Sequence, residues 1–349
     1  MTVLKRMGTL TAATGLAALV SLTGSANALA EDAAQFYKDK TVRFIVGVGV
    51  GGGFDQYARM LAPHIAKQLG ATVVVENQPG AGGIIALNTM SVAQPDGLRF
   101  QIINGTPLLL GQLLGLKNIR YDLTKLEHLG AVSAEPWAAL VSTKLPIKTP
   151  QDLVSYGKQI SWGATGPTGG PSDGAAITCQ ALKLNCQIVT GFRGSAEIAL
   201  AMERGEVDAL YVTDASALNY AKNKQARPVG VGARKRSTLL PDVPTFYETL
   251  KLAPEQQWWL DLRTELNEFG RVLVTTTGVP ADRLAYLRGA IKKVLTDPAV
   301  IAEGAKRRRY IEFREPAAVH NLAKKLLGTL DAKQKAEVND VIMKKFYSK

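Results

Sequence analysis

The chain has 349 residues, of which 46% are hydrophobic and 21% charged. This is a globular composition that excludes a peptide hormone, a disulfide-stapled miniprotein, a membrane bundle and a disordered chain. Forty-two Lys and Arg against 30 Asp and Glu give a formal charge of +12, but the densest basic run is only Lys306, Arg307, Arg308 and Arg309, which reads as a solvated helix end and argues against a nucleic-acid surface.

At the N-terminus, Lys5 and Arg6 precede an apolar stretch over 7–22, followed by two overlapping cleavage patterns, Ala26-Asn27-Ala28 and Ala28-Leu29-Ala30. This is the pattern of a cleavable export signal over residues 1–30, with an apolar run shorter than the ~20 residues a membrane span needs. Strands are predicted at 41–48, 72–75 and 98–103. Between the first two, Tyr57, Leu61, Ile65 and Leu69 share one face of a helix over 55–69, stopped by Gly70 and expected to kink at Pro63. A second helix over 83–93 ends before the turn Pro95-Asp96-Gly97. After an interval over 132–141 the pattern restarts, with strands at 160–164, 186–189 and 209–212 and helices over 173–183 and 196–204. An extended run at 228–232, a strand at 271–275 and several helices complete the chain. The alternation predicts an α/β architecture in two lobes with mostly parallel strands.

Cys179 and Cys186 are the only cysteines. In an oxidising compartment they are expected to pair across a helix-to-strand turn, the alternative being two buried thiols. His64, His128 and His320 are scattered and show no metal-ligand spacing.

Two glycine-rich turns carry the most information. The first, 47–55, follows a strand and opens a helix, and Gly51, Gly52 and Gly53 lead into Phe54 and Asp55. Such a turn offers backbone amides and the positive end of a helix to an anion; Gly52 and Gly53 are expected to be required for the approach. Read literally, Gly47, Gly49 and Gly52 also match a dinucleotide fingerprint, with Glu76 where a ribose-binding acid would sit, so an exported NAD(P)-dependent oxidoreductase is the alternative. The second turn, with Thr165, Gly166, Thr168, Gly169, Gly170 and Ser172, occupies the same position in the later unit. Two such turns could grip a small organic acid from both sides. Asn104 and Thr106 follow the third strand and are placed to line the same edge. The turn over 79–83 reads as structural. No G-x-S-x-G or H-E-x-x-H pattern supports a hydrolase.

In order, these segments resemble the periplasmic solute-binding receptors of tripartite tricarboxylate transporters, the TctC or Bug family. The resemblance rests on Val42-Arg43-Phe44-Ile45-Val46 leading into Gly51-Gly52-Gly53-Phe54-Asp55, on Val73-Val74-Val75-Glu76-Asn77 with Pro79-Gly80-Ala81-Gly82-Gly83, and on Pro95-Asp96-Gly97. Further on, Gly163-Ala164-Thr165-Gly166, Phe192-Arg193-Gly194, Gly205-Glu206-Val207-Asp208 and Leu240-Pro241-Asp242-Val243-Pro244-Thr245 extend it over nearly all of the mature chain. It implies a two-lobed Venus-flytrap fold of the periplasmic binding proteins, with residues 31–135 and 236–349 in one lobe and 136–235 in the other. It further implies closure about 132–141 and 228–232, and a monomer that catalyses nothing, holds no cofactor or metal, and hands a di-, tri- or aromatic carboxylate to membrane subunits. By position, 51–55 form one pincer and 165–172 the other. Arg193 and Gly194 fall where the family often has Lys-Gly, and Thr213 falls near a cleft-facing Asn or Asp. The chain departs from the family in lacking prolines at 47–50 and in placing Asp173 near the usual position of a histidine.

Overall fold

The fold comes from a computed structural model describing residues 33–166 and 169–347; the expected export signal and Thr168 lie outside the described residues. The first half of the chain runs β1 (Thr41–Val46), α1 (Gly53–Leu69), β2 (Thr72–Asn77), α2 (Ile84–Ser91), β3 (Arg99–Asn104), α3 (Gly105–Leu113), β4 (Glu127–Ser133), β5 (Trp137–Val141), α4 (Pro150–Ser155), β6 (Ile160–Gly163), α5 (Gly170–Leu182) and β7 (Cys186–Val189). The second half runs α6 (Ser195–Arg204), β8 (Ala209–Thr213), α7 (Asp214–Lys222), β9 (Arg227–Val231), α8 (Phe246–Thr249), α9 (Pro254–Phe269), β10 (Arg271–Thr275), α10 (Ala281–Leu295), α11 (Pro298–Lys306), α12 (Pro316–Gly328) and α13 (Ala332–Asp340). The helix through Pro63 is one element, α1, closed by Gly70 in the left-handed region.

The strands form two five-stranded sheets, β2-β1-β3-β10-β4 and β7-β6-β8-β5-β9. The expectation of mostly parallel strands holds for half of the pairings. β10 is antiparallel to β3 and β4, and β5 is antiparallel to β8 and β9. The reason is topological: β5 and β10 are the first strands laid down after the chain passes from one sheet to the other, so they enter from the opposite end.

One crossover is only three residues long, between Ser133 and Trp137. Because Trp137 pairs with Thr213 at the end of β8, this short link forces the C-terminal edges of the two sheets to face each other. The other crossover runs from Val231 through α9 to Arg271. Helix α9 packs on α5 of the second lobe and on α3 and α12 of the first, so a single hydrophobic cluster contains Ile103 and Leu108, Trp162 and Ala175, and Trp259 and Leu266.

The C-terminal residues reach across to the second sheet. α13 leads into residues 341–345, which pack on α5. Phe346 accepts a hydrogen bond at 2.7 Å from the Ile188 amide, where the exposed edge of β7 needs a partner. Cys179 and Cys186 are joined by a disulfide next to this strap.

Candidate functional site

The first glycine-rich turn is held by its own neighbours. Gly51, at φ +82°, donates its amide to Asp55 Oδ2 at 2.8 Å. Arg59 Nε also reaches Asp55 Oδ2, and Arg59 Nη2 reaches Asn77 Oδ1, each at 3.0 Å; Asn77 Nδ2 then returns to the Val48 carbonyl at 3.1 Å. The Glu-Asn and Gly-Gly-Phe-Asp motifs are therefore one hydrogen-bonded unit. Burial pushes the Asp55 carboxyl upward, but Arg59 and the Gly51 amide outweigh it and hold the group below its ordinary value. Asp55 thus braces the turn through Oδ2, with its charge already met by Arg59.

The glycines divide by role. Gly52 sits at φ −71°, and a Cβ on Gly53 would meet nothing within 4 Å, so neither position needs glycine for backbone angles; of these three residues only Gly51 does. A Cβ at Gly52 would make only an ordinary contact, 3.5 Å from the Gly49 carbonyl oxygen, and one at Gly53 would stand in open space. Gly47 serves packing, since its Cβ would lie 2.9 Å from the Gly83 Cα, which explains the turn over 79–83.

The second turn is tighter. A Cβ on Gly169 would lie 2.2 Å from Thr165 Oγ1, and one on Gly170 would lie 2.3 Å from the Trp137 ring. The Gly166 amide donates to Ser172 Oγ at 3.4 Å. Gly194 is the extended N-cap of α6, while the Arg193 side chain is 91% exposed and its amide is taken by Glu197 Oε2 at 2.7 Å. Thr213, the N-cap of α7, pairs its hydroxyl with Ser216 at 3.2 Å. Asn104 is the N-cap of α3. Thr106 points away from this edge, donating to the Leu266 carbonyl at 2.9 Å.

Five helices, α1, α3, α5, α6 and α7, begin at the C-terminal ends of strands along the facing edges, and none has a side-chain cap. Of the other helices, α4, α8, α11 and α13 are capped by Thr149, Thr245, Asp297 and Asp331, while α2, α9, α10 and α12 have no side-chain N-cap either. Uncapped first-turn amides carry partial positive charge and suit an anion.

Three groups at this edge escaped the sequence analysis. Arg271 opens β10 opposite Asn104 and lies over the rings of Phe54 and Tyr57, at 5.1 and 4.7 Å. It pairs at 2.7 Å with Glu135 in the short crossover, and Glu135 accepts from the Tyr57 hydroxyl at 2.8 Å. Asp214, buried at the start of α7, accepts from Ser237 Oγ at 2.6 Å; burial pushes its carboxyl up to about 6, Ser237 opposes this, and it feels both Glu135 and Arg271. The only local hint was a charge directly after Gly270 at the start of an apolar strand. The basic run is also more than a solvated helix end: Arg308 donates to Asn219 Oδ1 of the other lobe at 2.8 Å, and Arg309 reaches Gln56. Glu76, the expected ribose acid, pairs with Arg43 at 3.5 Å. Among the described residues no group of three or more His, Cys, Asp or Glu is arranged to hold a metal, and no helix is long and apolar enough to cross a membrane.

Residues 57–306 match the family model described as tripartite tricarboxylate transporter family receptor. A UPF0065 protein of Bordetella pertussis is 26% identical over 272 residues, 77% of this chain and 80% of that protein. Among solved structures, the periplasmic binding protein BugD superposes with a TM-score of 0.67 at 22% identity, covering 88% of this chain and 98% of its own. MatC from Rhodopseudomonas palustris, with bound malate, gives 0.66 at 22% identity, covering 87% and 99%. The two-lobed architecture is that of the periplasmic binding proteins.

Proposed function

The chain belongs to the tripartite tricarboxylate transporter receptor family, and we propose that it captures a small dicarboxylate in the cleft and delivers it to membrane subunits of such a transporter. Receptors of this family bind and release; they are not enzymes, and the oxidoreductase alternative falls with that membership. The observation that carries the dicarboxylate reading is the set of uncapped helix N-termini on both facing edges. One carboxylate would meet the amides of Gly53 and Phe54, and the other the Gly170 amide, with Asn104, Thr165, Gly166, Ser172, Gly194 and Thr213 along the wall. Malate bound to the structurally similar MatC fits a ligand of that length. Export to the periplasm, action as a monomer, and closure of the lobes about the two crossovers belong to the same proposal.

Calorimetric titration with succinate, malate, adipate, citrate, benzoate, NAD and NADP tests it. A dicarboxylate should bind more tightly than the monoacid, and saturation at 100 times its Kd should add about 2.7 kcal/mol of stability. Binding of NAD or NADP with no response to any acid would overturn the proposal.

A further inference from the structure

Beneath the second glycine-rich turn lies a charge pair that solute capture does not by itself require. Asp173, in the first turn of α5, is fully buried, and Arg263 on α9 is 2% exposed; their charged groups approach to 3.3 Å. The guanidinium lies over the rings of Trp137 and Tyr211, at 5.1 and 5.4 Å, and none of its nitrogens has a hydrogen-bond partner among the described residues. Tyr347 of the C-terminal strap also faces Ser172 and Asp173. Such a pair is a poor source of stability, because apolar residues of similar volume commonly replace one at no loss, whereas removing one partner strands a buried charge.

Its position suggests another use. One turn along α9 from Arg263, the Leu266 carbonyl accepts from Thr106 Oγ1. At the end of the helix a Cβ on Gly105 would lie 2.4 Å from the Phe269 ring, and the Gly105 amide donates to the Gly270 carbonyl at 2.9 Å. The same helix therefore grips the edge of the first lobe at Gly105 and Thr106 and the base of the second turn at Asp173. We infer that Arg263 is a positioning residue: through Asp173 it fixes the second ligand turn to α9 and so sets that turn's place relative to the first lobe. Apolar packing of α9 on α5 leaves rotation and slip of the turn open, while one charge opposite another, confined by two rings, allows a single register.

This inference rests on the second turn being a ligand-binding element, but its test needs no ligand. Hydrogen exchange would be measured on the wild-type chain and on Arg263→Met combined with Asp173→Leu, which removes both charges together. The double variant should melt within a few degrees of wild type, while amides in 163–175 exchange at least tenfold faster and those of β8 are unchanged. Equal protection of 163–175 in the two proteins would overturn the inference, whatever either protein binds. Should the double variant not fold, Arg263→Lys carries the test: faster exchange confined to 163–175 supports the positioning role, and uniform or absent acceleration refutes it. A separate succinate titration then distinguishes the two levels. Loss of binding with the turn still protected counts against the inference, and a wild-type chain that binds no acid counts against the proposed function alone.

Discussion

At the scale of single residues, the clearest contrast is between Gly51 and Gly53. Gly51 is held at φ +82° by its bond to Asp55, so Gly51→Ala should cost about 1 to 2 kcal/mol of stability. Gly53 opens a helix, and its Cβ would enter empty space, so Gly53→Ala should leave the melting temperature equal or slightly higher. It should nevertheless weaken the tightest-binding acid roughly tenfold or more, because a hydrogen bond to a charged group is worth about 1.5 to 3 kcal/mol. Native affinity in Gly53→Ala would remove the first turn from the site. Three buried groups titrate, in two opposite senses. Burial lowers His128 to about 4, aided by His320 and Arg288, and raises Asp173 and Asp214 to about 6. For His128 the unfolded chain holds the proton more tightly, so its contribution is present above about 6.5 and is lost as pH falls toward 4. For Asp173 and Asp214 the folded chain holds the proton more tightly, so their contributions are present below about 4 and are lost as pH rises through 6. Each amounts to about 3 kcal/mol at most, so the two carboxyls outweigh the imidazole and wild-type stability should fall as pH rises from 4 to 6.5. Denaturant titrations of Asp214→Asn should then show a nearly flat profile across that window; an Asp214→Asn profile that falls as steeply as wild type would mean that Asp214 titrates normally.

At the scale of elements, the junction of α9 with β10 leaves no room for a side chain. Gly270 has φ +62°, and a Cβ there would lie 2.2 Å from the Ser133 carbonyl oxygen and 3.0 Å from the Ala134 Cα, both backbone atoms of the short crossover. Neither strand can retreat, since Arg271 pairs with Ser133 across the sheet. Gly270→Ala should therefore cost about 3 kcal/mol or more, read as a lower midpoint in urea with an unchanged slope. This junction also marks where the sequence stopped being informative. The strands beginning at Thr41, Cys186 and Arg271 were legible because each is a short β-rich run, and both glycine turns were legible because each joins a strand to a helix. Helix α9 was missed because the inward Arg263 interrupts its apolar stripe. β4 was missed because Glu127 and His128 begin it and glycine interrupts it. At the site, Arg271 and Glu135 lie 136 residues apart in sequence, and no local pattern announces a pair whose meeting depends on the crossover itself. The same holds for the C-terminal strap, whose partner is the open edge of β7.

At the scale of the molecule, two sheets joined by two crossovers could behave as two independent folding units, and closure on a solute would be simplest if they did. The packing argues otherwise. Trp259, Leu260, Leu266 and Phe269 of α9 belong to one buried cluster with Leu108 and Leu113 of the first lobe and with Ala175, Ile177 and Leu182 of the second. Unfolding either lobe alone would expose the other lobe's share of α9, and at about 25 cal/mol per Å² even a few of these side chains cost several kcal/mol. A smaller cluster around Phe44, Leu61 and Ile291 lies wholly in the first lobe, and another around Leu140, Ile198 and Leu210 wholly in the second, so each lobe retains a rigid body of its own. Closure would then be a rotation of two rigid bodies about a shared helix, with Arg308 and Asn219 meeting between the lobes as one contact to be broken on opening. The expected calorimetric trace is a single transition whose calorimetric and van't Hoff enthalpies agree. Two resolved transitions, or a van't Hoff enthalpy near half the calorimetric one, would show that α9 does not couple the lobes.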